Sequence, residues 1–319
     1  MTLPRTDHFN GKTFFNPNPD RIRGLPDILR WRLTSRAQPW PPQAPIVPRD
    51  PPPPPAREGI TVSWIGHSSF LLQTPQGNLL TDPVFSPRIG PVAWAGPRRA
   101  IAPGIAFAAL PKIDAVLLSH DHYDHCDLPS LRALAGRDAP VVVSPLNYAA
   151  LLRGAGAAAD LIELDWWQDC ALPWGAGVRL VPARHWCRRS IGGVNRRLWG
   201  GFVLDAGGRR LYHAGDSGYD PALFREIGRR AGPPDLALIP IGAYEPRWFM
   251  ASSHMNPAEA VRVHLDLGAQ TSIGMHWGTF QLTDEGREEP VHALAEALGQ
   301  AGVEPESFRT LEPGGNLAI

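Results

Sequence analysis

The chain has 319 residues, and its 31 lysines plus arginines balance 31 aspartates plus glutamates, so the formal net charge is zero. That balance removes the electrostatic basis for holding nucleic acid, while the length suffices for one large domain or two small ones with a substantial core. Three cysteines (Cys126, Cys170 and Cys187) show no framework spacing, which excludes a disulfide-stapled scaffold and fits a reduced, cytoplasmic protein.

The opening "MTLPRTDHFNGK" has no apolar h-region, and no later span approaches membrane-helix length. A soluble protein is expected, with surface contact to a membrane left open. Residues 1–58 read as an arm. "FFNPNP" and the tract Pro51–Pro55 cannot form regular hydrogen-bonded structure and act as wrapping and spacer. Between them "LPDILRWRL" forms a short helix with Leu25, Ile28, Leu29 and Leu33 on one face. Lipid or a partner could cover that face, but so short a helix is expected to dock on its own domain.

From residue 59 to 319 the pattern is that of a strand-rich domain. "ITVSWIG", "SFLLQT" and "NLLTD" are short strands that carry His67 and Asp82. The apolar run ending at Leu118 leads into "SHDHYDHCD", and a helix follows from Leu128. "APVVVS" is a strand and "LNYAALLRGAG" a glycine-closed helix. "VRLVPARHWC" runs into His185, and "GFVLDA" pairs with "RRLYHAGDSG" across Gly207-Gly208 to end at Asp216. "DLALIPIGAY" is a buried strand. "NPAEAVRVHLDLG" is a helix with Asn256 as cap, Glu259 completing the capping box and Gly268 as terminator. "TSIGMHWG" delivers His276.

Within Ser119–Asp127 stand four potential metal ligands: His120, His122, Asp124 and His125. Two histidines two apart on an extended segment can grip one ion, and the Asp-His pair past the turn can reach a second. His120, His185, Asp216 and His276 each lie beyond the carboxyl end of an apolar strand, so loops at one sheet edge could bring them together. Sorted that way, His120, His122 and His185 hold one ion, and Asp124, His125 and His276 the other. Asp216 bridges them, since a carboxylate can span metals ~3.5–4 Å apart. Neither shell is full, which leaves a shared water or hydroxide and marks a catalytic rather than a structural site.

The order H-x-H-x-D-H, lone His, lone Asp, final His resembles the ligand order of the metallo-β-lactamase superfamily. That likeness implies an α/β fold, a four-layered αββα sandwich with a dinuclear site at one edge. "ELDWWQD", "HWCRRS", "LWGGFVL", "AGDSGYDP", "IPIGAYEPRWFM", "HMNPAEAVRVH" and "MHWGTFQLTDE" are similar to the N-acyl-phosphatidylethanolamine-hydrolysing phospholipase D family. The similarity runs from about Phe9 to Leu311 and is weakest in the arm. It implies a phospholipase D-type phosphodiesterase with two zinc ions, or other divalent transition metals, on those seven ligands. Such an enzyme releases N-acylethanolamine and phosphatidic acid by attack of a bridging hydroxide, with Asp124 and Asp216 in the centre. It also implies a role for His254 on the phosphate or leaving group, peripheral membrane contact, and a homodimer. The same centre on a carboxyl ester, a lactone or another small substrate is the alternative, and a non-catalytic metal scaffold is a third reading.

The other singled-out residues have two readings each. Asp82 is either the acceptor behind a ligand imidazole or a turn-capping aspartate, and His67 either rims the pocket or fills the core. His213 and Cys126 pack. His8, His264 and His292 are surface positions. Trp166, Trp167, Trp186, Trp248, Phe249, Trp277 and Phe280 are core in part, with Trp186 and Trp277 expected on an apolar pocket wall.

Overall fold

The computed structural model describes residues 4–18, 23–41, 52–55, 57–190 and 192–319. The proline tract is thus described from Pro52 to Pro55, without regular structure, and Pro51 lies outside the described residues.

One sheet begins with β1 (Thr61–Gly66), β2 (Ser69–Gln73) and β3 (Asn78–Thr81), an antiparallel meander. It continues in parallel with β4 (Ala115–Leu117), β5 (Val141–Pro145) and β6 (Leu161–Leu164). The second sheet repeats the plan. β7 (Asp169–Ala171), β8 (Gly177–Val181), β9 (Gly201–Ala206) and β10 (Arg209–His213) are antiparallel. β11 (Leu236–Pro240), β12 (Thr271–Met275) and β13 (Phe308–Thr310) then run parallel. The last strand, β14 (Asn316–Ala318), returns to pair with β1 and joins the halves.

Strand alternation explains the layering. Phe70, Leu72, Leu79, Leu117 and Val143 point to the core shared with the second sheet, while Leu71, Leu80, Val116 and Val142 point the other way. A sheet covered on both faces needs near-continuous apolar strands, and that is what these sequences are. Helices Leu128–Arg137 and Ala149–Gly154 cover the outer face of the first sheet through Leu131, Leu134 and Leu152. Helices Pro221–Ala231, Pro257–Leu267 and Glu289–Ala301 cover the second. The result is a four-layered αββα sandwich. The helix after Asn256 starts and stops as its sequence says: the Asn256 side chain accepts from Glu259 N at 2.9 Å, the Glu259 carboxylate accepts from Asn256 N at 3.0 Å, and Gly268 ends it at φ 65°.

The arm returns to the domain. Phe9 and Phe14 are buried with ring centroids 4.5 Å apart, and Asn16 Nδ2 donates to the His185 carbonyl at 3.0 Å. His8, expected at the surface, is 7% exposed, because its imidazole stacks on Trp166 and lies 2.6 Å from Asp7 and 2.7 Å from Asp165. Burial pulls this imidazole down, but the Asp165 and Asp7 carboxylates outweigh it and raise it above the ordinary value. A raised histidine stabilises fully below its unfolded value, about 6.5, and the contribution fades as pH climbs through the folded value. The melting-temperature gap between wild type and His8→Gln is therefore expected to be a few degrees near pH 6 and to shrink towards pH 9. Thermal melts across that range check it, and a gap independent of pH would refute it.

The helix Leu25–Thr34 differs from expectation. It is held by Trp31, whose Nε1 donates to Asp284 at 3.0 Å and whose ring lies 4.9 Å from Phe249. Its leucine face does not dock: Leu25, Leu29 and Leu33 are 71, 60 and 85% exposed. These three share one side, which faces outward, whereas Ile28, expected on the same face, is half-buried. Among the described residues, no helix is long and apolar enough to cross a membrane.

Candidate metal centre

The carboxyl ends of β4, β8, β10 and β12 meet at one edge of the sandwich and carry His120, His185, Asp216 and His276 past their last strand residues. Gly215 makes one of these approaches feasible. It sits at φ 60°, and a Cβ there would lie 2.9 Å from the Ser119 Cβ, so only glycine lets the Asp216 turn press against the His120 loop.

All seven expected ligands converge. His120 Nε2 and His185 Nε2 lie 3.0 and 3.2 Å from His122 Nδ1. Alongside, His276 Nε2 is 3.2 Å from His125 Nε2 and 3.4 Å from Asp124 Oδ2. Asp216 Oδ2 stands between the groups, 3.2 Å from both His125 Nε2 and His276 Nε2, and 3.8 and 3.9 Å from His120 Nε2 and His185 Nε2.

The hydrogen bonds behind these rings fix where their lone pairs point. His125 Nδ1–H donates to Asp82 Oδ2 at 2.8 Å, which turns Nε2 towards the centre. His185 Nδ1–H does the same to the Ser253 carbonyl at 3.0 Å. The Ser119 hydroxyl gives its proton to Asp82 Oδ2 at 2.6 Å, so at 3.0 Å it accepts from His120 Nδ1. Asp82 thus orients one imidazole in each group, directly and through Ser119, and its backbone-capping reading is only part of its role. Burial would raise its carboxyl, but the His125 imidazole outweighs that and holds it below the usual range.

Ring nitrogens packed this closely suit a cation; without one, burial pulls His125 and His276 down, but the Asp216 and Asp124 carboxylates outweigh it and raise both, His276 to about 9. Around tetrahedral zinc with Zn–N of ~2.0–2.1 Å, neighbouring nitrogens lie ~3.3–3.4 Å apart, close to what the first group shows. Asp216 Oδ1 and His122 Nε2 are buried without hydrogen-bond partners. Imidazoles and carboxylates without thiolate fit zinc and other divalent first-row metals alike. The buried Cys126 thiol, pushed up to about 12 by desolvation, stays protonated and offers no ligand.

His67 belongs to the second group. Its Nε2–H donates to Asp124 Oδ2 at 2.9 Å, its ring centroid lies 3.9 Å from that of His276 with the planes tilted, and it is fully buried rather than at a rim. Desolvation pushes it down to about 3. Three residues around the centre hold left-handed backbone without being glycine: His67 at φ 56°, Asp82 at 34° and His276 at 64°. Each costs about 1–3 kcal/mol, a cost that persists where surrounding contacts over-determine the geometry. Behind the loop, Asp121 pairs with Arg197 at 2.7 Å, and Arg189 donates to the Asp121 and Cys126 carbonyls. Nothing local in sequence marks these clamps, because their partners lie 63 to 76 residues away.

His254 reaches the edge of the centre, with Nδ1 buried, unpartnered and 3.8 Å from Asp216 Oδ2. Burial pushes it down to about 4, against the nearby Asp216 carboxylate, so it is neutral at ordinary pH. It shares with His185 a cavity of about 110 Å³ walled by Ile28, Trp186, Phe249 and Met250. Trp186 is on the pocket wall as expected. Trp277 is not: its ring stacks 5.2 Å from Trp64 in the core, and its Nε1 donates to the Gly274 carbonyl. Trp166 packs with Trp199, and Phe280 lies edge-on to His67. His213 packs as expected. His264, expected at the surface, is 6% exposed, held by Ser272 Oγ at 2.8 Å. His292 is exposed.

Comparison with known proteins agrees with this geometry. The beta-lactamase superfamily domain matches residues 77–277. An uncharacterized protein of Mycobacterium tuberculosis is 42% identical over 258 residues, 80% of this chain and 67% of that one. N-acyl-phosphatidylethanolamine-hydrolyzing phospholipase D 1 of Caenorhabditis elegans is 36% identical over 269 residues, 81% of this chain and 76% of its own length. A metal-dependent hydrolase of Anaeromyxobacter is 30% identical over 272 residues, covering 83% of this chain and 88% of its own. Together with two seven-stranded sheets that aim six histidines and carboxylates at one edge around Asp216, these matches place the chain in the metallo-β-lactamase superfamily, as a metal-dependent hydrolase.

Proposed function

We propose that the chain is a dinuclear zinc phosphodiesterase of the phospholipase D type, cleaving N-acyl-phosphatidylethanolamine-like lipids to N-acylethanolamine and phosphatidic acid. The observation that carries this reading is Asp216 Oδ2 standing within 3.2–3.9 Å of ring nitrogens from both groups. The kinship to the worm phospholipase D supplies the substrate class. Two divalent cations bound there would supply an activated hydroxide and neutralise charge on the phosphoryl oxygens. The chain's own part is to hold that geometry stiffly through Asp82, Ser119 and Ser253, and to present His254 from the cavity side. His254 is neutral, and its ring N–H can donate to a phosphoryl oxygen as charge grows there. It also adjoins the start of the Asn256-capped helix, whose first amides favour an anion.

A cavity of about 110 Å³ beside the centre holds the few atoms next to a phosphoester bound there, not whole acyl chains. The chains would lie outside, and the exposed Leu25, Leu29 and Leu33 sit on the helix whose Ile28 walls the cavity. We therefore include peripheral contact with lipid in the proposal. Leu25→Asp/Leu29→Asp/Leu33→Asp is expected to lower co-sedimentation with lipid vesicles at least fivefold while leaving the fold intact. Equal sedimentation of the variant and the wild type would remove the lipid-facing role. The smallness of the cavity also favours a second reading, hydrolysis of a small carboxyl ester or lactone.

One assay separates the two: the metal-loaded protein is offered an N-acyl-phosphatidylethanolamine in mixed micelles and a lactone of similar hydrophobicity. Phosphodiester turnover that disappears in His122→Ala is expected. Turnover of the lactone alone would sink the phospholipase reading.

A further inference from the structure

Arg23 comes from the arm, yet it lines the cavity shared with His185 and His254. Its Nη2 donates to the Trp248 carbonyl at 2.5 Å, and its guanidinium carbon lies 6.0 Å from the Trp248 ring centroid. Nε, by contrast, is buried and has no hydrogen-bond partner. A charged N–H withdrawn from water and given no acceptor is an unstable arrangement, and buried donors of this kind are rare in folded proteins. An occupant of the cavity that brings an acceptor would complete it.

The surroundings say which acceptor. The phosphoryl group belongs at the metal centre, which this cavity meets through His185 and His254. Ile28, Phe249 and Met250 line this cavity together with Arg188, Ser252 and Ser253, so it takes hydrocarbon joined to a polar oxygen. An oxygen acceptor borne at the root of an apolar chain is an acyl carbonyl, in an amide or an ester. We propose that Arg23 is a specificity-determining residue that recognises this carbonyl through Nε–H, so that the site selects acylated substrates over bare alkyl ones. The inference rests on the lipid-hydrolase reading for its substrate class, but it is a statement about binding and can be tested without turnover.

The zinc-loaded full-length protein is titrated calorimetrically with N-decanoylethanolamine, which carries an amide carbonyl, with monodecanoylglycerol, which carries an ester carbonyl, and with decanol, which has neither. Wild type is expected to bind one or both acyl ligands. Arg23→Gln and Arg23→Lys are expected to weaken that binding about ten- to hundredfold, the range for a hydrogen bond from a charged donor. Both variants should leave decanol binding within about twofold of wild type, since a merely distorted cavity would weaken all three ligands together. Loss confined to the amide places the recognised carbonyl on the departing N-acylethanolamine, and loss confined to the ester places it on the retained glycerol. Three outcomes overturn the proposal: no acyl ligand bound by wild type, equal binding by wild type and both variants, or equal weakening of decanol. Failure of the lipid-hydrolase reading shows elsewhere, as absent phosphodiester turnover by wild type.

Discussion

Asp216→Asn is expected to lower kcat/KM by about 10³-fold or more, equivalent to roughly 4 kcal/mol of transition-state stabilisation. The substitution conserves volume and changes only charge and one oxygen, so the fold should survive. What it removes is the negative charge that faces four ring nitrogens at 3.2–3.9 Å. On the proposed dinuclear reading, two cations held there would repel strongly, and the Asp216 carboxylate would offset that repulsion. Metal content per chain, read by elemental analysis after desalting, should therefore fall from two towards one or below. Far-UV dichroism should match wild type. A variant that keeps two metals and near-normal turnover would show that Asp216 does not bridge, and the dinuclear reading would fail with it.

How much of this centre can be read without coordinates depends on distance along the chain. His120, His122, Asp124 and His125 identify themselves because their spacing alone is chemically improbable as a plain loop. His185, Asp216 and His276 follow from a topological regularity: each comes just after an apolar strand, and parallel strands deliver their carboxyl ends to one edge. The parts behind the ligands are not legible in that way. His67 has two equal readings until its Nε2 is found 2.9 Å from Asp124, across 57 positions of sequence. Asp82 looks like a turn residue because it is one, and nothing local shows that it also supports His125 and, through Ser119, His120.

Burial misleads for the same reason. His8 sits in a polar, glycine-containing segment, and only the return of the arm onto Trp166 and Asp165 removes it from water. His264 lies on a helix whose inward face depends on the second sheet, where Ser272 meets it. The Leu25–Thr34 helix is the converse case. Its apolar periodicity identifies a face, and a face of that kind usually docks, but Trp31 and Arg30 made the attachment instead. Pattern fixes which residues travel together, and only tertiary contacts fix which way they look.

His254→Ala is expected to lower kcat about 10²–10³-fold, the range for deleting one positioned donor to a developing oxyanion. The decisive companion measurement is metal content, because His254 sits close enough to the centre to be taken for a ligand. Its Nδ1 is 3.8 Å from Asp216 Oδ2, and its ring centroid is 5.1 Å from that of His185. Lack of a partner does not set it apart, since His122 Nε2 and His276 Nδ1 are equally unpartnered. Its place on the cavity wall, together with the role proposed for it at the phosphoryl group, assigns it to what enters the cavity rather than to the cations. Metal content should therefore stay at the wild-type level in His254→Ala, with the loss falling mainly on kcat and less on KM. His254→Asn, which retains an N–H of similar reach, should recover part of the rate. A drop in bound metal would move His254 into the coordinating set and leave the phosphoryl contact without a residue to make it.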